Sequence, residues 1–179
     1  MKDQILLVPL GPIPAELLSW LAKPLAGATG RDVAVGEPIP LPQAAYNPHR
    51  RQYLGDLLLA VLPADLGPAG GRVLGLTDAD CYAPGLNFIF GQATTNGRRA
   101  FVALPRLRPS FYGQPEDLNL FRERTLKEAV HELGHTWGLP HCPNLRCVMH
   151  FSNTLRDTDV KGAAFCARCR RRLDRSREG

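Results

Sequence analysis

Long apolar runs are missing from this chain. No stretch approaches the roughly 18 uninterrupted apolar residues of a membrane-spanning helix, so no membrane anchor of that kind is expected. The opening Met1 to Leu10 has only a short apolar run, which follows Asp3, ends at Pro9 and lacks a small-residue cleavage site. It reads as a strand rather than a secretion signal. Internal repeats and low-complexity segments are absent, which excludes solenoid and fibrous architectures. Methionine is nearly absent: Met149 is the only one besides Met1. Acidic residues are in modest deficit, 17 against 22 basic ones, and the excess of +5 lies at one end. Arg168, Arg170, Arg171, Arg172, Arg175 and Arg177 crowd the C-terminus, leaving the body near neutral. Such a run is ordinarily a solvated helix end.

A chain of 179 residues suffices for one well-packed domain and is short for two. Strand and helix patterns alternate along it, which makes the fold class α/β. Gln4 to Leu10 suits a buried strand. Ile13 to Leu21 spaces Leu17, Leu18 and Leu21 as an amphipathic helix that Pro24 should end, and Asp32 to Gly36 is a second strand. Pro38, Pro40, Pro42 and Pro48 force residues 37–48 to be extended, either wrapping the surface or covering a cleft. Arg50 to Leu62 carries helical spacing, ended by Pro63 and the glycines from Gly67 to Gly71, and Arg72 to Thr77 is a third strand. Asn87 to Thr94 fits an edge strand centred on Phe88, Ile89, Phe90 and Gly91. A peptide could add beside it through backbone hydrogen bonds, or it could be an ordinary strand with nothing bound. Asn96-Gly97 turns the chain into Arg99 to Leu104. Residues 105–115 form a linker carrying Tyr112. Glu116 and Asp117 then start a helix to about Trp137, with Leu126, Val130, Leu133 and Trp137 as its buried stripe.

That helix carries the chemistry. His131 and His135 are four apart and lie on one helical face, so both imidazoles aim at one point. Glu132, one position on, can reach a water there without becoming a ligand. Gly138 and Pro140 turn the chain out of the helix, and His141 arrives as a third ligand. Three nitrogen ligands with a fourth position left to water are the pattern of a catalytic zinc site, and Glu132 stands where a general base belongs. Tyr112 is an oxyanion donor or an ordinary tyrosine, and His150 lines the cleft or is uncommitted.

Four of the 5 cysteines form two short-spaced pairs, Cys142 with Cys147 and Cys166 with Cys169. In a chain without a secretion signal this argues for thiolate ligation of zinc rather than disulfides. Cys81 is left over and is expected to pack in the core.

The run His131-Glu132-x-x-His135-x-x-Gly138-x-x-His141-Cys142, followed by Cys147-x-Met149 and Cys166-x-x-Cys169, resembles the archaemetzincins, a branch of the metzincin zinc metallopeptidases. Leu86 to Gly91 is similar to that family's edge-strand region. The first half of the chain matches only in the order of its elements. The resemblance implies a metzincin-like twisted mixed β-sheet with an active-site helix over about residues 1–138. A small zinc-stapled C-terminal part, about 139–179, would carry the Met-turn at Met149. Two zinc ions per chain are implied, a catalytic one on His131, His135 and His141 and a structural one on Cys142, Cys147, Cys166 and Cys169. Because Cys142 adjoins His141, the structural ion would fix the backbone that presents the third ligand. The expected function is peptide-bond hydrolysis by a zinc-activated water with Glu132 as base. Aminopeptidase-like action on short peptides is one form of it, with Asp78, Asp80 and Glu128 available to hold a free amine. Peptide substrates, no membrane, a cytoplasmic location and a monomer complete the expectation. Two other functions stay open: a peptide-binding protein that does not cut, and a zinc module that binds nucleic acid through its arginine-rich end. The tail's lack of interleaved aromatics and the complete histidine set weigh against the second.

Overall fold

Strands whose side chains alternate between two buried faces form the centre of the molecule. The computed structural model describes residues 4–64 and 71–175. The opening residues 1–3, the glycine cluster apart from Gly71, and Arg177 lie outside the described residues. In chain order the main elements are β1 (Gln4–Leu10), α1 (Ala15–Thr29), β2 (Val33–Val35), β3 (Tyr46–Asn47), β4 (Gln52–Leu54) and α2 (Gly55–Val61). They continue with β5 (Gly71–Thr77), β6 (Cys81–Tyr82), β7 (Gly91–Ala93), β8 (Arg99–Ala103), α3 (Leu118–Thr136), α4 (Leu155–Val160) and α5 (Ala167–Arg175).

The main sheet has the order β2-β1-β5-β8-β7. Its first four strands run parallel and β7 pairs antiparallel to β8, so the sheet is mixed, with β7 at its edge. Ile5 and Leu7 of β1, Leu74 and Leu76 of β5, and Ala100 and Val102 of β8 join α1 and α3 in one core. Val8, Leu10, Val73 and Phe101 point the other way and pack with Leu58, Leu59 and Leu62 around α2. Burial on both faces explains why these strands read as continuous apolar runs. A second sheet, β3-β4-β6, flanks the α2 side. No described helix is long and apolar enough to cross a membrane.

Three elements depart from the sequence expectation. Pro24 does not end α1, which continues to Thr29 and stops at the left-handed Gly30. Leu17, Leu18, Leu21 and Leu25 form one buried stripe across the proline, and its burial outweighs the roughly 3 kcal/mol that an interior proline costs. The helical spacing of Arg50 to Leu62 is only half used. Arg51 turns with φ 55°, β4 follows, and α2 begins at Gly55. Pairing wins over periodicity there, because Gln52 Nε2 donates to Asp80 Oδ2 at 3.0 Å and to the Asn87 carbonyl at 2.9 Å while β4 pairs with β6. The edge strand is shorter than Asn87 to Thr94, since Ile89 leaves its line to bridge Cys81. Residues 37–48 hydrogen-bond to the end of β1 through Ile39, and none of them lines the cleft described below.

α3 begins at Asp117, whose carboxylate accepts from the Leu120 N–H at 2.9 Å as an N-cap, and its length fits the expectation closely. Phe121, Ala129, Val130 and Leu133 bury it against the sheet and α1. The other face of the sheet, against α2, is tested by truncating a side chain at the centre of its core. Phe101→Ala should cost about 3–5 kcal/mol in denaturant unfolding at unchanged slope. A loss under 1 kcal/mol would contradict the assignment of Phe101 to a closed core.

Candidate functional site

Helical geometry brings His131 and His135 onto one face of α3, and backbone carbonyls then orient both rings. His131 Nδ1 donates to the Val148 carbonyl at 2.7 Å, and His135 Nδ1 donates to the Leu139 carbonyl at 2.8 Å. With the proton on Nδ1, each neutral ring leaves a bare lone pair on Nε2. Those two Nε2 atoms face each other at 3.1 Å. Two acceptors at that distance repel unless a cation lies between them. His141 completes the set, its ring centroid 4.8 Å from that of His135 and 5.4 Å from that of His131, so the three sequence candidates converge. Tetrahedral zinc with Zn–N bonds of about 2.0–2.1 Å separates its nitrogens by about 3.3 Å, so the donor set fits that ion. Burial is the largest cause lowering all three histidine pKa values. The Lys161 ammonium adds to it at each, and the neighbouring imidazoles add to it at His131 and His141. The rings stay neutral, as ligation requires.

Glu132 is 7% exposed and lies beneath the edge strand, its Oε1 2.9 Å from where a Cβ on Gly91 would stand. Burial, helped by the Glu128 carboxylate, pushes its pKa up to about 8. The cleft over these groups measures about 610 Å³. Residues 85–93 line it, among them Phe88, Ile89, Phe90 and Gly91. His141 and residues 151–153 line it as well, and the Phe151 ring packs tilted against His141 with centroids 4.9 Å apart.

Two glycines let the helix end and the turns below it close up. Gly138 has φ 79°, the left-handed backbone that takes the chain out of α3. The Asn96 tip of the β7–β8 hairpin docks there, donating its N–H to the His135 carbonyl at 3.2 Å. Gly134, between the two histidines, has the Met149 thioether pressed against it, so any Cβ would overlap the sulfur. Met149 is fully buried, and its carbonyl accepts from the Cys142 N–H at 2.9 Å.

Beside this lies the cysteine quartet. The sulfurs of Cys142, Cys147, Cys166 and Cys169 all lie within 4.8 Å of one another, none is in a disulfide, and Cys142 Sγ and Cys166 Sγ are 3.8 Å apart. Zn–S bonds of about 2.3 Å separate tetrahedral sulfurs by about 3.8 Å, so this set also fits zinc. The Cys169 N–H draws the Cys166 thiol down to about 6, and the Cys166 N–H donates to Cys147 Sγ at 3.3 Å. The arginine-rich α5 is partly built into this region: Arg168 donates to Cys142 Sγ at 3.4 Å, and Arg170 donates to the Ala28 carbonyl at 3.4 Å.

Other candidates fall elsewhere. Tyr112 donates its hydroxyl to the Arg106 carbonyl at 2.9 Å and does not line the cleft. His150 turns its Nδ1 to the Cys142 carbonyl at 2.9 Å. Cys81 is fully buried in the α2-side core, where desolvation raises its thiol pKa. Asp78 and Asp80 are paired with Arg108 and Arg106. The sequence reading passed over Phe151, Ser152 and Asn153 on the cleft wall, and Lys161, which is fully buried at 3.0 Å from Glu128. Phe151 two residues after Met149 was the available signal, whereas a lysine in an exposed-looking loop gave none. Met149 beneath the helix makes a direct test. Gly134→Ala should lower stability by about 1–3 kcal/mol although alanine is the better helix former, and a raised thermal midpoint would contradict the close contact.

Comparison with known proteins identifies the family of the chain. Residues 68–175 match the model of peptidase family M54. The archaemetzincin of Thermococcus kodakarensis is 45% identical over 97% of both chains. Among solved structures, the archaemetzincin of Methanopyrus kandleri superposes with a TM-score of 0.86 at 41% identity, covering 99% of this chain and 97% of that one. A zinc-dependent peptidase from Methanocorpusculum labreanum superposes with a TM-score of 0.85 at 29% identity, covering 94% and 99%. Identity at this level over nearly the whole length places the chain in peptidase family M54, the archaemetzincins, and makes it a zinc metallopeptidase.

Proposed function

We propose that the chain hydrolyses internal bonds of an extended peptide laid along β7, with Glu132 as general base beside a zinc held by His131, His135 and His141. The observation that carries this is the pair of unprotonated Nε2 atoms converging at 3.1 Å beside a buried carboxylate in an open cleft. A zinc ion there supplies a Lewis acid that lowers the pKa of water and stabilises charge developing on the scissile carbonyl oxygen. Glu132 takes the proton of the attacking water and returns it to the leaving amine. A pKa raised towards neutrality suits both transfers, and a dication close by draws it down.

β7 is the edge of the main sheet and its three residues line the cleft, so an added strand finds backbone partners beside Glu132. Phe88 and Phe151, both on the cleft lining, offer apolar contact for substrate side chains. Cys142, Cys147, Cys166 and Cys169 hold a second, structural zinc in this reading. Met149 packs beneath the histidines as the Met-turn residue. Tyr112 has no part in the chemistry, because its hydroxyl is committed elsewhere.

An aminopeptidase needs a free carboxylate to hold the substrate's ammonium. Among the described residues lining the cleft the carboxylates are Glu128 and Glu132, and Glu128 is bound by Lys161. This supports cleavage of internal bonds over removal of N-terminal residues. N-acetylated peptides should therefore be cut about as well as free ones, and a strict requirement for a free amine would contradict the reading.

The role of Glu132 has its own test. Zinc-loaded Glu132→Gln, incubated with an unbiased peptide mixture and read by mass spectrometry, should keep two zinc ions per chain while kcat falls by about 10²–10⁴-fold. Turnover retained in the variant would remove Glu132 as base. Peptide binding without cleavage by either protein would favour a binding role instead.

A further inference from the structure

Beyond Glu132, which lines the cleft, the buried charges of α3 are engaged by other parts of the chain. Arg124, Lys127 and Glu128 meet the segment 154–161, which the sequence leaves almost without pattern. Arg124 holds the Asp159 carboxylate with two bonds, at 2.7 and 2.8 Å. Lys127 Nζ donates to the Asp159 carbonyl at 3.3 Å. Glu128 accepts from the Thr158 hydroxyl at 2.9 Å and pairs with Lys161 at 3.0 Å. α4 is itself fixed at its start by a capping box between Thr154 and Asp157.

Lys161 differs from the rest of this clamp in what else it reaches. Its side chain is 0% exposed and Glu128 is 3% exposed, so both charges have been taken out of water. A buried ion pair of this kind is weak evidence for stability, because apolar residues of similar volume are often as good or better. The lysine's position is more informative. Its Nζ also donates to the His150 carbonyl at 3.4 Å and lies 3.5 Å from His131 Nδ1. The proton on His131 Nδ1 is already directed to the Val148 carbonyl, so the lysine makes no hydrogen bond to the ring and its order comes from Glu128 and His150. Glu128 stands one helical turn before His131 on the same face of α3. Lys161 therefore ties the helix that carries two candidate ligands to the turn 147–150, which contains both the carbonyl that orients His131 and the methionine beneath Gly134.

We propose that Lys161 is a positioning residue for the histidine metal site. Held by Glu128, it pins the His150 carbonyl and so fixes the turn whose Val148 carbonyl sets the orientation of His131. Removing the ammonium frees that turn, and the His131 ring loses its fixed direction. Cys147 begins the same turn, but the four cysteine sulfurs make no hydrogen bond to Lys161 among the described contacts, so the larger effect falls on the histidine site.

Lys161→Met keeps the unbranched length but strands the Glu128 carboxylate, so the decisive protein is the double variant Lys161→Met/Glu128→Gln, which removes both charges. Zinc affinity at the histidine site is measured on the full chain by chelator competition with the cysteine site loaded. Thermal unfolding and the visible spectrum of protein carrying cobalt at the histidine site are read alongside. The double variant is expected to unfold near the wild-type temperature, to bind histidine-site zinc about 10–100-fold more weakly, and to show an altered cobalt spectrum. Wild-type affinity and spectrum in a folded double variant would overturn the proposal. So would failure of both variants to fold, which would make the pair part of the structural framework. The inference rests on the histidines being a metal site. Wild-type protein that binds no metal there would sink that assignment, a result separable from any behaviour of the variants.

Discussion

Two imidazole nitrogens with no protons to share, 3.1 Å apart, are the constraint around which the site is arranged. Each ring is held to that orientation by a backbone carbonyl on its far side, one from Val148 and one from Leu139. Those carbonyls belong to the two stretches that follow α3, so the histidine site requires the helix and the chain beyond it to be placed together. Gly138 and Gly134 are where that placement meets its steric limits, the first through its left-handed backbone and the second through the sulfur of Met149.

The stretch after His141 has little apolar pattern of its own, yet Val148, Met149, Phe165 and Leu173 share one buried cluster with Leu133 and Trp137. Three devices hold it there. The cysteine sulfurs converge beside His141, the Asp159 and Lys161 contacts clamp it to α3, and Arg170 reaches across to α1. Arg168 and Arg170 of the C-terminal run are thereby engaged in contacts with the fold, while Arg171, Arg172 and Arg175 stay exposed. The cleft keeps one unpaired carboxylate among its described lining residues, and that is Glu132.

The parts of this arrangement that are local in sequence were legible. The four-residue spacing of His131 and His135, the glycine turn to His141 and the paired cysteines each follow from covalent distance and helical period. The central strands were legible for the same reason, since burial on both faces writes an unbroken apolar run. Elements decided by distant partners were not. Arg50 to Leu62 has helical spacing, but Gln52 and Tyr53 are drawn into strand by Asp80 and Cys81. Ile89 leaves the edge strand for Cys81, and α1 runs through Pro24 because Leu25 has a core waiting for it. Lys161 was invisible because its partners lie about thirty residues upstream and on another element.

X-ray absorption at the zinc edge of the zinc-loaded chain bears most directly on the metal sites. Two zinc ions per chain should appear, one in a sulfur shell at about 2.3 Å and one in a nitrogen and oxygen shell at about 2.0–2.1 Å. The second shell should vanish when His131 and His135 are both replaced by alanine. A single zinc with sulfur neighbours alone would contradict the histidine site as a metal centre.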